Sequence, residues 1–236
     1  MQADKAIILL GGQGTRLRAL FPDLPKALVP VAGRPFLAWQ TEWLFRNNIS
    51  CALLAAGRLG EMIETWAGQQ PFHKRLKVLI EPAPLGTGGA IKHALPAAGK
   101  TPFWVLNGDS LLPELDFGGM EKAHCQSGAL ATIAVTAIED SGRYGAVLFD
   151  GNGKIIRFEE KKSRQAGWIN AGVYLMDPAV FSVIGAGKNT SIENEIFPRL
   201  AAGGKIFVFQ TNPPLLDMGT PEGLENMAAY LAEKRP

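Results

Sequence analysis

The stretch Ala6-Ile-Ile-Leu-Leu-Gly-Gly-Gln-Gly-Thr-Arg-Leu17 joins a short apolar run to a glycine-rich turn. The run Ala6–Leu10 predicts a strand buried on both faces, because no polar residue interrupts it. The glycines that follow let backbone N–H groups approach phosphate oxygens, since no Cβ stands in the way. A buried strand that ends in such a turn is typical of an α/β fold with a nucleotide site at the end of the strand.

The glycine turn does not match either of two common nucleotide motifs. A dinucleotide GxGxxG motif fails because Leu17 stands at the third glycine position, and a Walker A motif fails because no Gly-Lys-Ser/Thr follows. Arg16 is the distinctive residue, since its guanidinium is always charged and can grip two phosphate oxygens. The glycines alone are equally compatible with a tight turn, so a phosphate site needs support from other motifs.

Apolar runs and helical patterns alternate along the chain. In the first half we predict further strands over 52–56, 76–80 and 103–106, and helices over 37–45, 59–67, 88–95 and 117–127. In the second half we predict strands over 131–137, 147–149, 155–159, 169–176 and 206–210, a hairpin turn at 150–153, a capping box at 190–193 and a last helix opening at Thr220-Pro221. This pattern predicts an α/β fold, a Rossmann-like, mostly parallel mixed sheet with helices on both faces. Because no linker or repeat interrupts it, we expect one domain over residues 1–236.

Composition argues against several classes of protein. The net charge is only +2 and no block of Lys and Arg occurs, which argues against a nucleic-acid partner. No apolar segment is long enough to cross a bilayer, so we expect no membrane partner, and the first apolar run is too short for a secretory leader. The two cysteines, Cys51 and Cys125, form no CxxC motif and predict a reduced, cytoplasmic protein. A homo-oligomer stays open.

A second motif follows the glycine turn closely. Residues 25–35 read Pro-Lys-Ala-Leu-Val-Pro-Val-Ala-Gly-Arg-Pro. Gly-Gly-x-Gly-Thr-Arg-Leu followed by Pro-Lys-x-Leu-x-Pro-x-x-Gly-x-Pro resembles the signature of the sugar-1-phosphate nucleotidyltransferases. The resemblance implies the nucleotide-diphospho-sugar transferase type of fold, with a nucleotide-binding part over 1–128 and a sugar-binding part with the C-terminal helix over 129–236. It also implies a nucleoside triphosphate and a sugar 1-phosphate as substrates.

The resemblance assigns nucleotide contacts to two loops. In the first loop the nucleotide-binding positions are Leu10, Gly11, Gly12, Gly14, Thr15 and Arg16, with Arg16 on the leaving pyrophosphate and Lys26 on the α-phosphate. The second loop, Glu81-Pro-Ala-Pro-Leu-Gly-Thr-Gly-Gly-Ala90, resembles the family's base-binding loop. There the resemblance places Gly86, Thr87 and Gly88 against the nucleoside, with Glu81 nearby. A plain loop before a helix N-terminus is the alternative for this segment.

Two aspartates carry the expected metal site. Asp109, in Asn107-Gly108-Asp109, ends a predicted parallel strand, where ligands of open α/β sheets bind. Mg²⁺ prefers oxygen and usually takes one or two carboxylates together with substrate phosphates. Asp217, in Asp217-Met-Gly-Thr-Pro221, resembles the family's late Asp-x-Gly-Thr-Pro motif. The resemblance implies Mg²⁺ held by Asp109 and Asp217, and makes Arg16, Lys26 and Asp109 the catalytic residues. Read alone, each aspartate is typical of a cap or a turn.

The sugar contacts are implied for the second half and for the end of the fourth strand. The resemblance gives Glu160 the sugar hydroxyls and Lys161 the sugar phosphate, and it packs the Gly145 backbone on the sugar. The other implied substrate-binding residues are Asn107, Tyr144 and Asn170. For Asn170, purely structural hydrogen bonds are an equally good interpretation.

Within this family the chain is most similar to the heptose 1-phosphate guanylyltransferases. The similarity lies in 11–17, 23–26, 35–37, 85–90 and 169–172. It implies GTP and a manno-heptose 1-phosphate as substrates, and a nucleotide-sugar and pyrophosphate as products. Mannose 1-phosphate guanylyltransferase and N-acetylmuramate 1-phosphate uridylyltransferase are alternatives, although the latter usually begins with Ala-Ala-Gly.

Two further hypotheses come from other classes of protein. A catalytically silent nucleotide-sensing module would be favoured by loss of a metal aspartate or of Lys26, and all three residues are present. A dinucleotide oxidoreductase would need an acidic residue at the end of the second strand, where Ala56-Gly57 stand instead.

Overall fold

The computed structural model describes residues 2–12, 17, 19–139, 145–159, 166–182, 184–185, 187–212 and 214–234. The strands are β1 (Lys5–Leu9), β2 (Pro30–Val31), β3 (Arg34–Pro35), β4 (Cys51–Ala56), β5 (Leu76–Ile80), β6 (Phe103–Asn107), β7 (Ser110–Leu111), β8 (Ala131–Ile138), β9 (Val147–Phe149), β10 (Ile155–Phe158), β11 (Gly167–Met176), β12 (Ile206–Thr211) and β13 (Leu216–Asp217). The α-helices are α1 (Phe36–Arg46), α2 (Gly60–Gly68), α3 (Gly86–Ala98), α4 (Phe117–Ser127), α5 (Phe197–Ala202) and α6 (Pro221–Glu233).

Seven strands form one mixed sheet in the order β12-β8-β11-β6-β1-β4-β5. Strands β6, β1, β4 and β5 pair in parallel, and β12 pairs in parallel with β8. Only β11 runs against its neighbours, being antiparallel to both β6 and β8. The predicted mostly parallel mixed sheet is therefore confirmed. The carboxyl ends of β6, β1, β4 and β5 share one edge of the sheet, where a ligand crevice is expected.

Helices cover both faces of the sheet. Successive side chains of β1 point to opposite faces, so Ile7 packs with helix α3 and Ile8 packs with helix α1, and both side chains are fully buried. This two-sided burial is why the β1 sequence is an unbroken apolar run. The α4 and β9 boundaries match the prediction, and β5, β6 and β8 agree within one residue.

A third apolar cluster lies apart from the two faces of the sheet. Met227 and Leu231 of α6 pack there with Leu17, Val29, Leu111 and Leu216, all buried. The last helix thus holds together the segment after the glycine turn, the segment after Lys26 and the short β7–β13 ribbon. Thr220 caps α6 by accepting a hydrogen bond from the Gly223 N–H, and Pro221 occupies the first turn, as predicted.

The predicted capping box at 190–193 is wrong by one residue. Ser191, not Thr190, is the cap, because its Oγ accepts a hydrogen bond from the Asn194 N–H and its N–H donates to Glu195 Oε1 at 2.9 Å. The first turn is a π-helix over Ile192–Ile196, and α5 follows it. The physical reason is that the Thr190 backbone is occupied elsewhere, since its N–H donates to the Leu85 carbonyl and its carbonyl accepts from Gly88.

Within the described ranges, no helix combines the length and the apolar character that crossing a bilayer requires.

Candidate active site

A cleft of about 930 Å³ opens at the carboxyl ends of β6, β1, β4 and β5. Nine of the residues singled out from the sequence line this one cleft: Leu10, Gly11, Gly12, Lys26, Glu81, Gly86, Thr87, Asn107 and Asp109. The sheet order sets their arrangement. Lys26 and Asp109 lie at the β6 end, and Glu81 lies at the β5 end, three strand spacings or roughly 14 Å away.

An ion pair joins Lys26 to Asp109 at the β6 end of the cleft. The Lys26 Nζ lies 2.5 Å from Asp109 Oδ2, and the two side chains are 19% and 34% exposed. Lys26 begins a 3-10 helix, Lys26–Leu28, whose next residues Ala27 and Leu28 are buried in the core. Anchoring by these buried neighbours presents the lysine to the cleft with little freedom. The two sequence motifs, 83 residues apart, therefore meet in space.

Gln40, a residue that no sequence motif indicated, stabilises the turn that carries Asp109. Gln40 is fully buried on α1, and its Nε2 donates to the carbonyls of Asn107 at 2.8 Å and Ser110 at 3.0 Å. Gly108 completes the turn, because a Cβ there would stand 2.5 Å from the Leu9 carbonyl oxygen. A buried glutamine on an otherwise apolar helix face was the signal available in the sequence.

Asp217 reaches the same place through a two-stranded ribbon. Strand β13 pairs antiparallel with β7, which sets Asp217 opposite Ser110, and the Met218 N–H donates to the Asp109 carbonyl at 3.0 Å. Asp217 Oδ1 accepts from the Gly219 N–H at 2.7 Å, and Asp109 Oδ1 accepts from Ser110 Oγ at 3.1 Å. The ribbon thus brings Asp217 next to the turn that carries Asp109, although Asp217 is not part of the cleft wall.

The donor set fits Mg²⁺ better than a metal held by protein alone. One carboxylate on β13 and one in the turn before β7, beside a cleft that can take phosphates, match the one or two carboxylates that Mg²⁺ uses in phosphate-transfer sites. Among the described residues, no group of three or more His, Cys, Asp or Glu side chains could hold a metal. A metal at Asp109 and Asp217 would therefore take its remaining ligands from substrate oxygens and water.

Glycines fit the β1 loop tightly against its neighbours. A Cβ on Gly11 would stand 2.9 Å from Glu81 Oε1, and a Cβ on Gly57 would stand 3.0 Å from the Gly11 Cα. The glutamate accepts a hydrogen bond from the Leu85 N–H through Oε2 at 3.0 Å. Burial raises the pKa of Glu81, although this hydrogen bond opposes the shift. The β1 loop and the β5 loop are thus packed as one wall of the cleft.

Leu85 and the first turn of α3 are braced by a distant segment, 189–193. Besides the three backbone hydrogen bonds of Thr190, Asn189 Nδ2 donates to the Pro84 carbonyl at 3.1 Å. Thr87 Oγ1 accepts from the Ile192 N–H at 2.9 Å and donates to Glu193 Oε2 at 2.8 Å. The close fit requires glycine at position 86, where φ is +67° and a Cβ would lie 2.6 Å from the Thr190 carbonyl oxygen. Thr87 thus has a bracing role that the sequence did not reveal.

This brace gives a first prediction. We expect Thr87→Val to lower the free energy of unfolding by about 1–3 kcal/mol, because it removes two hydrogen bonds of a half-buried hydroxyl. Urea unfolding followed by circular dichroism measures the change. Thr87→Ser keeps the hydroxyl and is the matched control, expected to lose much less. Equal losses in the two variants would show that the methyl group, not the hydroxyl, holds the loop.

On the sugar side of the site, a buried tyrosine connects two predicted sugar residues. The Tyr174 hydroxyl accepts from Asn170 Nδ2 at 3.0 Å and is also hydrogen bonded to the Asn107 side chain. Burial is the main reason that the pKa of Tyr174 is strongly raised, so this hydroxyl stays neutral. Asn170 Oδ1 accepts from the Gly172 N–H at 2.9 Å, where the pairing of β11 with β8 shifts register. Asn170 therefore makes structural hydrogen bonds with both ends of its amide.

Other sequence-derived residues lie elsewhere or outside the described ranges. Gly88 is buried, and its N–H donates to Thr190 at 2.7 Å, so this backbone group is already used inside the protein. Gly145 precedes β9 with a φ of +77° and is not part of the cleft wall. Six residues fall outside the described part of the chain: Gly14, Thr15, Arg16, Tyr144, Glu160 and Lys161. Their contacts stay predictions.

The cleft wall also contains residues that sequence reasoning did not single out. Arg58, Leu59 and Ile80 lie near its β4–β5 end, and Asn189 and Glu193 come from the bracing segment. No ligand-binding motif marks these five positions, although Glu193 belongs to the predicted capping box. Only the placement of Arg58 two residues beyond a predicted buried strand could have suggested a contact with a ligand.

With this geometry in view, comparison with known proteins is informative. A model of the family described as nucleotidyl transferase matches residues 5–234. The chain belongs to the nucleotidyl transferase family. D-glycero-alpha-D-manno-heptose 1-phosphate guanylyltransferase from Aneurinibacillus thermoaerophilus is 33% identical over 92% of this chain and 94% of its own length. Mannose-1-phosphate guanylyltransferase catalytic subunit beta from Danio rerio is 37% identical over 98% of this chain, which spans 66% of that relative, just under two thirds.

A solved structure agrees with this family membership. HddC from Yersinia pseudotuberculosis, crystallised in complex with GMP-PN, superposes with a TM-score of 0.83 at 28% identity. The match covers 96% of this nucleotidyl transferase and 99% of the HddC chain. The fold and the family resemblance expected from the glycine turn and the Pro-Lys motif are thus confirmed.

Proposed function

We propose that this nucleotidyl transferase moves GMP from GTP to a manno-configured sugar 1-phosphate, with manno-heptose 1-phosphate as the first candidate, and releases pyrophosphate. The cleft carries the proposal, because it brings Lys26 and Asp109 together beside Asp217 at one end and places Glu81 at the other. Relatives named as heptose and mannose 1-phosphate guanylyltransferases, and a structural neighbour solved with GMP-PN, support it.

The reaction is an in-line displacement at phosphorus. A phosphate oxygen of the sugar 1-phosphate forms a bond to the α-phosphorus, the bond from that phosphorus to the bridging oxygen breaks, and pyrophosphate leaves with the electron pair. The attacking oxygen is already ionised at neutral pH, so no side chain has to remove a proton. The main barrier is electrostatic, since one unopposed pair of like charges costs about 4 kcal/mol near a protein surface.

The residues of the cleft act by neutralising and positioning charge. In this proposal Lys26 binds the α-phosphate, where charge develops as the phosphorus becomes five-coordinate. Asp109 and Asp217 would hold Mg²⁺, which when bound would neutralise phosphate charge. Arg16 and Lys161 would bind the pyrophosphate and the sugar phosphate. The glycines of the β1 loop keep backbone N–H groups close to the triphosphate.

Glu81 supplies the choice of guanine in this proposal. An ionised carboxylate only accepts hydrogen bonds, and guanine offers donors at N1 and N2. Adenine has an acceptor at N1, and so would set this acceptor against the half-buried carboxylate, a mismatch that sites of this kind reject strongly. The raised pKa of Glu81 means that lowering the pH protonates this group sooner than a free glutamate, and guanine selection should weaken accordingly.

The decisive experiment is a substrate panel. The protein is incubated with Mg²⁺, each ribonucleoside triphosphate or dTTP, and heptose, mannose or N-acetylmuramate 1-phosphate, and pyrophosphate is followed. We expect GTP with heptose 1-phosphate to give the highest rate. A highest rate for GTP with mannose 1-phosphate would favour the alternative of a mannose 1-phosphate guanylyltransferase, which the similarity to the Danio rerio relative supports. A preference for UTP would contradict guanine use, and no pyrophosphate from any pair would favour the sensing module.

A variant tests the base assignment directly. We expect Glu81→Gln to lower kcat/KM for GTP by about 10- to 100-fold, because an amide cannot accept from N1 and N2 together. ITP lacks the N2 amino group, so the preference of the unaltered protein for GTP over ITP should shrink in the variant. Glu64→Gln, on the exposed side of α2, is the control and should behave normally. An unchanged GTP to ITP ratio in Glu81→Gln would remove Glu81 from the base site.

We propose a single domain in which residues 1–128 bind mainly the nucleotide and residues 129–236 mainly the sugar. The bracing segment 189–193 modifies this division, since it belongs to the second half and supports the nucleotide loop of the first. A cytoplasmic location and a homo-oligomeric form stay predictions.

A further inference from the structure

Arg58 is a cation at the β4–β5 end of the cleft that has no assigned role. It follows the carboxyl end of β4, is exposed, and forms part of the cleft wall. Within the described ranges it makes no hydrogen bond and no ion pair. Leu59, the next residue, has a φ of +62° and immediately precedes α2, so the backbone turns sharply just beyond the arginine.

The surroundings of Arg58 suit a flat ring better than a chain of phosphates. Ile80 ends β5, the edge strand of the sheet, and its side chain is 37% exposed and lines the same part of the cleft. Leu59, Pro82 and Pro84 add apolar wall. The Lys26–Asp109 pair lies at the opposite end of the cleft, at β6. A nucleotide with its α-phosphate at Lys26 would therefore extend its base toward β4 and β5.

Glu81 and Arg58 flank this apolar wall from neighbouring loops. The pairing of β4 with β5 sets Ala56 opposite Ile80, and the Glu81 N–H donates to the Ala56 carbonyl at 2.8 Å. Arg58 and Glu81 are thus each one or two residues beyond paired positions, yet they form no ion pair with each other. Each of these charges remains open to a ligand in the cleft.

We infer that Arg58 is a specificity-determining residue that recognises the O6 and N7 edge of guanine. This inference rests on the proposed function and deepens it. Guanine presents two acceptors, N7 and O6, on the edge next to its N1 and N2 donors. A guanidinium fork is the usual partner of that pair of acceptors, and adenine replaces one of them with an amino group. Glu81 and Arg58 together read both edges of one guanine ring.

The test combines a nucleotide in which C–H replaces the N7 nitrogen with variants that remove or shorten the Arg58 side chain. The nucleotide 7-deaza-GTP lacks the N7 acceptor but keeps O6, N1 and N2. We measure kcat/KM for pyrophosphate release with GTP and 7-deaza-GTP. Calorimetry without the sugar phosphate measures binding of both nucleotides, of ATP and of UTP. The proteins are the unaltered chain, Arg58→Ala, Arg58→Lys and a control, Arg46→Ala, whose side chain is 69% exposed on α1.

We expect the unaltered protein to bind and use 7-deaza-GTP about 3- to 10-fold less well than GTP, because one of two hydrogen bonds is lost. Arg58→Ala should lower kcat/KM for GTP by about 5- to 150-fold and should treat the two nucleotides alike. Arg58→Lys should recover only part of the loss, since an ammonium lacks the planar fork. The Arg46→Ala control should keep the full preference for GTP.

Three results would overturn the inference. The first is an unaltered protein that shows no 7-deaza penalty. The second is an Arg58→Ala variant that retains that penalty in full. The third is an Arg58→Ala variant that loses affinity equally for GTP, ATP and UTP, which would make Arg58 a phosphate contact. Failure of the proposed function is seen separately, as absence of pyrophosphate from GTP with every sugar phosphate, while the binding arm still tests Arg58.

Discussion

Asp109→Asn should lower kcat/KM by about a thousandfold or more and leave the fold intact. The carboxylate is the only charged partner of Lys26 among the described ion pairs, and it is one of two oxygen donors brought together by the β7–β13 ribbon. Losing a metal carboxylate removes several kcal/mol of charge stabilisation from the transition state. Asparagine can still accept the hydrogen bond from Ser110, so the turn should keep its shape.

The measurement combines initial rates with a Mg²⁺ titration and urea unfolding. Asp217→Asn should behave similarly, since its Oδ1 can still accept from the Gly219 N–H while the charge is lost. Asp4→Asn is the control, because Asp4 binds Ser50 at the other end of the sheet. Raised Mg²⁺ demand with normal unfolding would support a metal site. Near-normal turnover in either cleft variant would take that aspartate out of the metal site.

Lys26→Ala should lower kcat by about 100- to 1,000-fold while changing KM for GTP much less. The charge of Lys26 is expected to act most strongly when the α-phosphate is five-coordinate, so its loss falls on turnover. The side chain is only 19% exposed, and its ammonium is held by Asp109, which fixes it in position before substrate arrives. Lys122→Ala, on the exposed side of α4, is the control.

Combining Lys26→Ala with Asp109→Asn sharpens this test. Because the two side chains are in direct contact, the losses should not add, and the double variant should be close to the worse single variant. Simple addition of the two effects would mean that the groups act independently. Weak GTP binding with normal turnover in Lys26→Ala would make this residue a docking group only.

The parts of the fold that depend on interactions between residues close in sequence could be predicted. Two-sided burial marks the strands β1 and β4, and helical spacing of apolar residues marks the helices α1 and α4. The sequence Asp150–Gly153 marks the hairpin, where Asp150 Oδ1 accepts a hydrogen bond from the Asn152 N–H. These signals reflect burial and hydrogen bonding within a few residues. The position of Asp109 at the carboxyl end of a parallel strand was also predicted, and the resemblance assigned Lys26 to the same site, but their direct contact was not predicted.

Contacts between distant segments were out of reach of the sequence. Nothing in the local pattern says that the Thr190 backbone pairs with the loop at Leu85, and this pairing shifts the helix cap to Ser191. The support of Asp109 by Gln40 depends likewise on a partner 67 residues away. Arg58 has no motif at all, and its significance comes from the cleft wall it shares with Ile80.

The antiparallel position of β11 between β6 and β8 has a consequence for how the chain is made. A ribosome releases β1, β4, β5 and β6 first. One edge of β6 then stays unpaired until β11 has been made, roughly 60 residues later. Leu85 and the first turn of α3 lack their hydrogen-bond partners until residues 189–193 have been made, and the turn at Asp109 lacks its partner until Met218 has been made. The cleft is thus completed only after the chain has been made as far as Met218. Until then the nascent chain exposes an unpaired strand edge, which makes early engagement by a chaperone advantageous.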